Sequence, residues 1–344
     1  MINIISKAYL SKTATGPKKV VDNLIKGLDL LGYPYVVNKR LDACEMLWIH
    51  DDVDALASIG KLDDSIKIVA GPNLYVVARQ IPQTIDLSKI VYLHPSEWVK
   101  DFWETFGFDR CPIEAWPAGI DTEEYKPSTR EKKTVLIYFK QRSQEELMQV
   151  KKALDEKHIT YQLITYGNYR EEDYRKLLEE TRYIVWLGRQ ESQGIALQEA
   201  LAMNVPILVC DVNRLGHWEA SPKEMAVFTE EENAFPRATS AAYFDERCGI
   251  KIKDLSMLGD AVDTMERDLG GFKPRQYILE NLSLEKQARD LLAIYKKHFG
   301  ITFEQGKQAT VCKRGNWRNN KPHYKMYVRL KRLAKRLLRP GKHI

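Results

Sequence analysis

The feature that most limits what this chain can fold into is an alternation of short apolar runs and amphipathic stretches that begins, stops and begins again. Ile2 to Tyr9 reads as a strand bounded by polar loop residues. Gly16-Pro17 then places a proline in the first turn of a helix, along which Val20, Val21, Leu24, Ile25, Leu28 and Leu31 recur at helical spacing until Gly32 ends it. Tyr33 to Val37, Met46 to His50, Ile66 to Ala70 and Ile90 to His94 are further strands, and a helix from about Glu97 to Phe106 follows the last of them. Strands and helices alternating at this size predict an α/β architecture, with a parallel sheet covered on both faces.

Trp116 to Asp121 closes that unit, and the polar run Pro127 to Lys133 reads as a linker. The pattern then restarts. Val135 to Phe139, Tyr161 to Tyr166, Tyr183 to Leu187 and Pro206 to Cys210 are predicted strands; Gln144 to Glu156, Glu171 to Arg182 and Ile195 to Met203 are predicted helices. Tyr277 to Phe299 holds one more amphipathic helix. The expected division is 1–126, a linker at 127–133, a second domain at 134–272, closing helices at 273–299 and a tail at 300–344. A chain of 344 residues is long enough for two such cores.

Several classes are disfavoured. The sequence contains no run of about 18 apolar residues of the kind that spans a bilayer, and Ile2-Asn3-Ile4-Ile5 is not the opening of a secretory signal. The five cysteines are scattered without a Cys-x-x-Cys pair, which argues against a zinc site or a disulfide framework and suits a reducing cytoplasm. The formal charge of +6 is uneven: residues 305–344 carry 13 cations and no acid, which leaves −7 on residues 1–304. Tyr324 to Leu338 sets aromatic and aliphatic residues on one helical face and Lys and Arg on the other, before Pro340-Gly341. Residues 324–339 therefore suit an anionic membrane surface; a helix docked on the acidic body or a solubilising tail are the alternatives. No nucleic-acid-binding motif accompanies the cations, so no nucleic-acid partner is expected.

The stretch that carries chemistry is Glu191-Ser192-Gln193-Gly194-Ile195-Ala196-Leu197-Gln198-Glu199, after a buried strand and across a helix start. Unpaired amides near Gly194 and Ile195 favour phosphate oxygens, and Gly194 lets a ligand approach the backbone. Two carboxylates at this separation suit different hydroxyls of one extended ligand, since a carboxylate accepts paired hydrogen bonds from a vicinal diol.

This stretch resembles the E-x7-E motif of glycosyltransferase family 4 (glycosyl transferases group 1). Gln198 to Ile207 resembles the family's L-E-A-M-A-C-G-V-P-V, Pro117 to Asp121 with Tyr125-Lys126-Pro127 its P-N-G-V-D and F-x-P, Ser96 to Val99 its S-E-x-V, and Glu280 to Ser283 with Gln287, Ala288 and Tyr295 its closing helix. The resemblance implies a GT-B fold, in which two Rossmann-like parallel-sheet domains face each other across a cleft, here with a basic amphipathic C-terminal helix added. It also implies a retaining enzyme that needs no metal or cofactor and moves a hexose from a nucleotide-sugar donor, UDP- or GDP-linked, to a glycan or lipid-linked acceptor. The setting it implies is cytoplasmic and peripheral to the membrane. By resemblance Glu199 holds the donor ribose, Glu191 lies near the sugar, and Gln193, Gly194, Ile195 and Gly16 are donor-binding.

The chain departs from the family pattern at two places. Where the family has Arg, and Lys five positions on, this chain has Lys140 and Glu145; Lys140 and Arg142 are the expected diphosphate clamps. Asn73 stands where many relatives have a histidine near the donor sugar. His50 is the acceptor-side candidate, while Asp52-Val53-Asp54 spells the metal-diphosphate D-x-D of another glycosyltransferase fold and is expected to be structural. A GT-B-shaped protein that binds nucleotide sugars without transfer, or an epimerase, is the alternative.

Overall fold

The computed structural model describes residues 1–13 and 15–301. The basic stretch at 324–339 and Cys312 lie outside the described residues. Two parallel sheets form. The first has six strands in the order β2-β1-β3-β4-β5-β6: β1 (Ile2–Ile5), β2 (Tyr35–Val37), β3 (Met46–Ile49), β4 (Lys67–Ala70), β5 (Ile90–His94) and β6 (Ile113–Ala115). The second has five, β11-β10-β9-β7-β8: β7 (Thr134–Lys140), β8 (Tyr161–Thr165), β9 (Thr181–Gly188), β10 (Ile207–Cys210) and β11 (Gly249–Ile252). β1, β3 and β5 are buried at every position. That is why they read as unbroken apolar runs: a parallel sheet is covered on both faces.

The helices are α1 (Gly16–Leu30), α2 (Val53–Leu56), α3 (Glu97–Thr105), α4 (Gln144–Glu156), α5 (Glu171–Glu180), α6 (Ile195–Ala202), α7 (Pro222–Met225), α8 (Glu230–Asn233), α9 (Leu258–Asp268), α10 (Pro274–Asn281) and α11 (Leu284–Phe299). Local chemistry sets their ends. Thr15 caps α1 by accepting from the Lys18 amide, with Pro17 in the first turn. Ser143 and Glu146 form a reciprocal capping box on α4.

One expectation is corrected. The strand read over Ile2 to Tyr9 ends at Ile5, because the Asn38 side chain binds both the Ser6 amide (3.0 Å) and the Ser6 carbonyl (2.9 Å) and draws the chain out of the sheet. The closing segment forms two helices, α10 and α11. α10 stops before Leu282, Ser283 caps α11, and the Leu282 carbonyl accepts instead from the Ile120 amide at 2.7 Å.

That break turns the chain back. Ala288, Leu291, Ile294 and Tyr295 of α11 share a core with Ile2, Ile4, Val20, Leu24 and Trp48. α1 and α11 pack closely, and a methyl group at Gly27 would collide with the Leu284 carbonyl. The Tyr295 hydroxyl donates to the Leu47 carbonyl at 2.6 Å, and the Trp116 indole to the Gln287 carbonyl at 2.9 Å. The chain thus crosses between the halves twice, once after β6 and once after α10, and the first half is completed by its last described helix.

Between β10 and β11 the chain makes an excursion that includes α7 and α8. Val212, Leu215, Phe235 and Ala238 leave the second half and join the core of the first, with Phe235 edge-on to Phe102 of α3 at 5.4 Å.

Candidate active site

The carboxyl ends of both sheets turn toward one gap between the halves, where ligands of α/β sheets bind. The Trp98 indole donates to the Glu191 carbonyl at 3.0 Å, and the Tyr243 hydroxyl to the Pro95 carbonyl at 2.9 Å, across that gap. α6 starts at Gly194, whose φ of +85° is a conformation glycine adopts without a steric penalty. No side chain caps this start, which leaves its first amides without a side-chain acceptor.

Glu199, one turn into α6, is 3% exposed. Its Oε1 lies 2.5 Å from the Nζ of Lys19, which reaches across from α1. The same ammonium is 2.5 Å from Glu171 Oε1, and the Tyr125 hydroxyl donates to Glu171 at 2.6 Å. Burial pushes Glu199 up to about 7, although Lys19 opposes that shift. Burial also works against the charge of Lys19, but Glu199 and Glu171 outweigh it and hold the ammonium above its ordinary value. Two carboxylates here share one cation.

Glu191, in the loop before α6, pairs with Lys140 Nζ at 2.5 Å. Lys140 ends β7, and its ammonium sits over the ring of Tyr166, 4.0 Å from the centroid. Tyr166 itself is 53% exposed, so an aromatic face stands open beside the charged pair. The Tyr169 hydroxyl, pushed up to about 12 chiefly by burial, also feels Glu199 and Glu191. Glu191 with Lys140, and Glu199 with Lys19, thus form two ion pairs on either side of the Gly194–Ile195 helix start.

Other expected site residues are placed differently. Arg142 is 2% exposed, and its guanidinium is fully engaged: Nη1 donates to the Gly188 carbonyl (3.0 Å) and the Cys210 carbonyl (2.9 Å), while Nε and Nη2 bind Glu146. Despite burial, His217 and Arg142 hold Glu146 down to about 2. Arg142 thus ties β9 and β10 together beneath the gap. Gln193 is likewise turned to protein, accepting from the Ala118 amide at 2.9 Å and donating to the Ala118 carbonyl at 2.8 Å. It fastens the E-x7-E loop to the crossover. His50 is wholly buried, and burial keeps its ring neutral; its Nε2 donates to the Pro17 carbonyl at 2.9 Å and so orders the entry to α1. Asn73 lines the gap. Nothing lies within 4 Å of where a Gly16 Cβ would sit. Asp52 caps α2, Asp51 accepts from the Lys7 and Ala8 amides, and Asp54 pairs with Lys7, so the D-x-D run serves the fold.

Sequence reasoning missed Lys19, Glu171, Tyr125 and Tyr166 as site residues. One signal was available for Lys19: α1 has no acid in its first turn, and a lysine there is opposed by the positive end of the helix dipole.

Beside Glu191 the gap opens into a cavity of about 490 Å³. Pro17, Asn73, Glu191 and Ser192 form part of its wall, whereas Lys19, Lys140 and Glu199 do not. Most of the remainder is apolar or aromatic, supplied by β4- and β5-derived loops, α3 and the β10–β11 excursion. His94, also on the wall, is pushed down to about 3 by burial and is therefore neutral.

Among the described residues no three side chains of His, Cys, Asp or Glu gather as a metal site, and no helix is long and apolar enough to cross a membrane. No protein-family model matches the chain, and the search of curated proteins found no match. Solved structures do match. A sucrose-phosphate synthase from Thermosynechococcus elongatus aligns with a TM-score of 0.54 at 10% identity, over 88% of this chain and 99% of that one. A glycosyltransferase involved in avilamycin A biosynthesis aligns at 0.51 and 12%, over 88% and 98%. Anabaena HepE in complex with UDP and glucose aligns at 0.50 and 11%, over 86% and 99%. At this identity the likeness establishes the fold: two Rossmann-like domains in the GT-B arrangement, shared with known glycosyltransferases.

Proposed function

We propose that this chain is a retaining, metal-independent glycosyltransferase that moves a hexose from a nucleoside diphosphate sugar to an acceptor hydroxyl. The observation that carries this reading is the convergence of Glu191, Glu199, Lys140 and an uncapped helix start on one gap between two sheets. Glu199, released from Lys19, accepts from the ribose diol. Lys140 and the first amides of α6 stabilise the charge that develops on the departing diphosphate. Glu191 holds the sugar, and the exposed ring of Tyr166 offers a face for the base. In the transfer the anomeric carbon–oxygen bond breaks with its electron pair going to the diphosphate. The acceptor oxygen bonds the same carbon from the same face, and the departing phosphate takes the acceptor proton. A separate protein base is then unnecessary, in keeping with a buried His50 and with Asn73 on the wall. UDP- or GDP-linked hexoses are the donors this reading favours; Anabaena HepE is a fold relative that holds UDP and glucose.

The test is to titrate UDP-, GDP- and ADP-sugars and to follow slow donor hydrolysis with water as acceptor. Binding together with hydrolysis, both lost in Glu199→Ala, is the expected result. Tight binding without any hydrolysis would instead establish a silent nucleotide-sugar binder.

A further inference from the structure

The cavity beside Glu191 has a chemistry that the donor does not explain. Its wall carries five aromatic rings: Tyr75, Trp98 and Phe102 from the first half, Trp218 and Phe228 from the excursion. Leu74, Val99, Leu215 and Val227 lie between them. Its volume falls in the range of roughly 300–1,000 Å³ typical of small-molecule sites. A chain of hexoses needs a hydrogen-bond partner for nearly every hydroxyl, and these walls supply few.

Several wall side chains carry a buried polar atom without a hydrogen-bond partner. Gln190 is 7% exposed and His94 1%, and Gln190 Oε1 and His94 Nε2 are buried without a hydrogen bond. Among the described residues Arg189 is the one lysine or arginine that lines the cavity; its guanidinium lies 4.8 Å from the Trp218 ring centroid, and its Nε is also buried and unpartnered. The two acids on the same wall are already engaged. Glu191 pairs with Lys140, and Glu224 accepts from the Ser221 amide and hydroxyl at 3.1 and 2.7 Å. A half-buried cation close to an indole, on the wall of a largely apolar chamber and within reach of the Glu224 charge, is complementary to an anion carried on a ring.

We propose that this cavity is the acceptor site and that the acceptor is a small ring-bodied acid: its ring packs among the aromatic side chains, its carboxylate meets Arg189, and its hydroxyl faces Glu191 and Asn73. This assignment rests on the donor reading for its role as acceptor site, but the ligand class is tested separately. In the transfer the ring hydroxyl gains the anomeric carbon and its proton leaves on the nucleoside diphosphate, so the carboxylate takes no part in the bond changes.

The probes are 4-hydroxycinnamate, its methyl ester, maltotriose and the nucleoside diphosphates UDP, GDP and ADP, titrated against the full chain by calorimetry and tryptophan quenching. The acid should bind about ten-fold more tightly than the ester, the equivalent of one charge-assisted contact. Arg189→Gln should bring the acid down to the level of the ester. Val227→Trp, which fills the chamber, should weaken both by about ten-fold or more while nucleotide affinity stays within about two-fold. Val76→Trp, at an exposed position on the cavity wall, gives the same reading should Val227→Trp fail to fold. Nucleotide binding with no binding of either phenol would overturn the inference and leave the donor reading intact. Maltotriose in place of the acid, or Arg189→Gln weakening the nucleotide rather than the acid, would overturn it too. The expected phenol pattern with no nucleotide bound would uphold the ligand class and sink the donor reading.

Discussion

The two ends of the interdomain gap are built by different physics. Around Glu199 the halves meet through charge, with Lys19 of α1 shared between Glu199 and Glu171, while Lys140 pairs with Glu191 within the second half. Around Trp218 they meet through packed rings and aliphatic side chains. An ion pair can exchange one partner for a charged or polar ligand group, provided that the buried charge left behind is not stranded. A packed aromatic wall has a shape fixed by close packing. The charged end is thus suited to gripping and releasing a polar donor, and the aromatic end to selecting a shape.

That contrast can be broken most decisively at the carboxylates. Glu191→Ala should lower donor turnover by about 10²–10³-fold, and Glu199→Ala should lower nucleotide affinity by about 10–10²-fold. Steady-state hydrolysis and calorimetry read the two effects, and Glu199→Ala, away from the chamber wall, should leave binding in the aromatic chamber unchanged. Lys19→Met comes next. It strips the shared cation from a buried carboxylate and should cost about 1–3 kcal/mol of stability in urea unfolding, discounted for the partial exposure of Lys19. A cost near zero would mean that the charged end does not hold the halves together.

The pH dependence is subtler. Glu199 titrates near 7 in the fold, above its unfolded value. Between that ordinary carboxylate value and about 7 the native state therefore binds a proton that the unfolded chain lacks, so its contribution to stability is present at low pH and lost as pH rises through this window. Glu199→Gln should flatten that slope in chemical denaturation between about pH 5 and 7.5. The smallest effect is ionic. Raising NaCl from about 50 to 500 mM should weaken nucleotide binding a few-fold and leave binding of the methyl ester nearly unchanged.

The charged end was partly legible in the sequence, and the aromatic end hardly at all. Glu191, Gly194 and Glu199 lie on one continuous stretch whose spacing is set by a single helix start, so local reasoning reaches them. Lys19 and Glu171 come from helices in different halves and meet Glu199 only in the folded chain. Arg142 and Gln193 show the converse. Each has the right chemistry and neighbourhood for a ligand contact, yet their nearest acceptors belong to protein: Gly188 and Cys210 for one, Ala118 for the other. Composition names a donor but not its partner. The chamber depends on residues 215–228 folding over α3, and that excursion carries neither a strong period nor a motif. Most strands and helices were legible because buried parallel strands and amphipathic helices imprint their periods. β6 and β11 do not, because Glu114 and Lys251 interrupt their short apolar runs.

The return of α11 onto α1 bears on the order in which the molecule can assemble during synthesis. The first half leaves the ribosome first, yet it lacks one wall of its core until Ala288, Leu291 and Tyr295 have emerged. The second half, with both its sheet and covering helices encoded between the two crossings, can mature earlier. The half that is translated first is the half that finishes folding last.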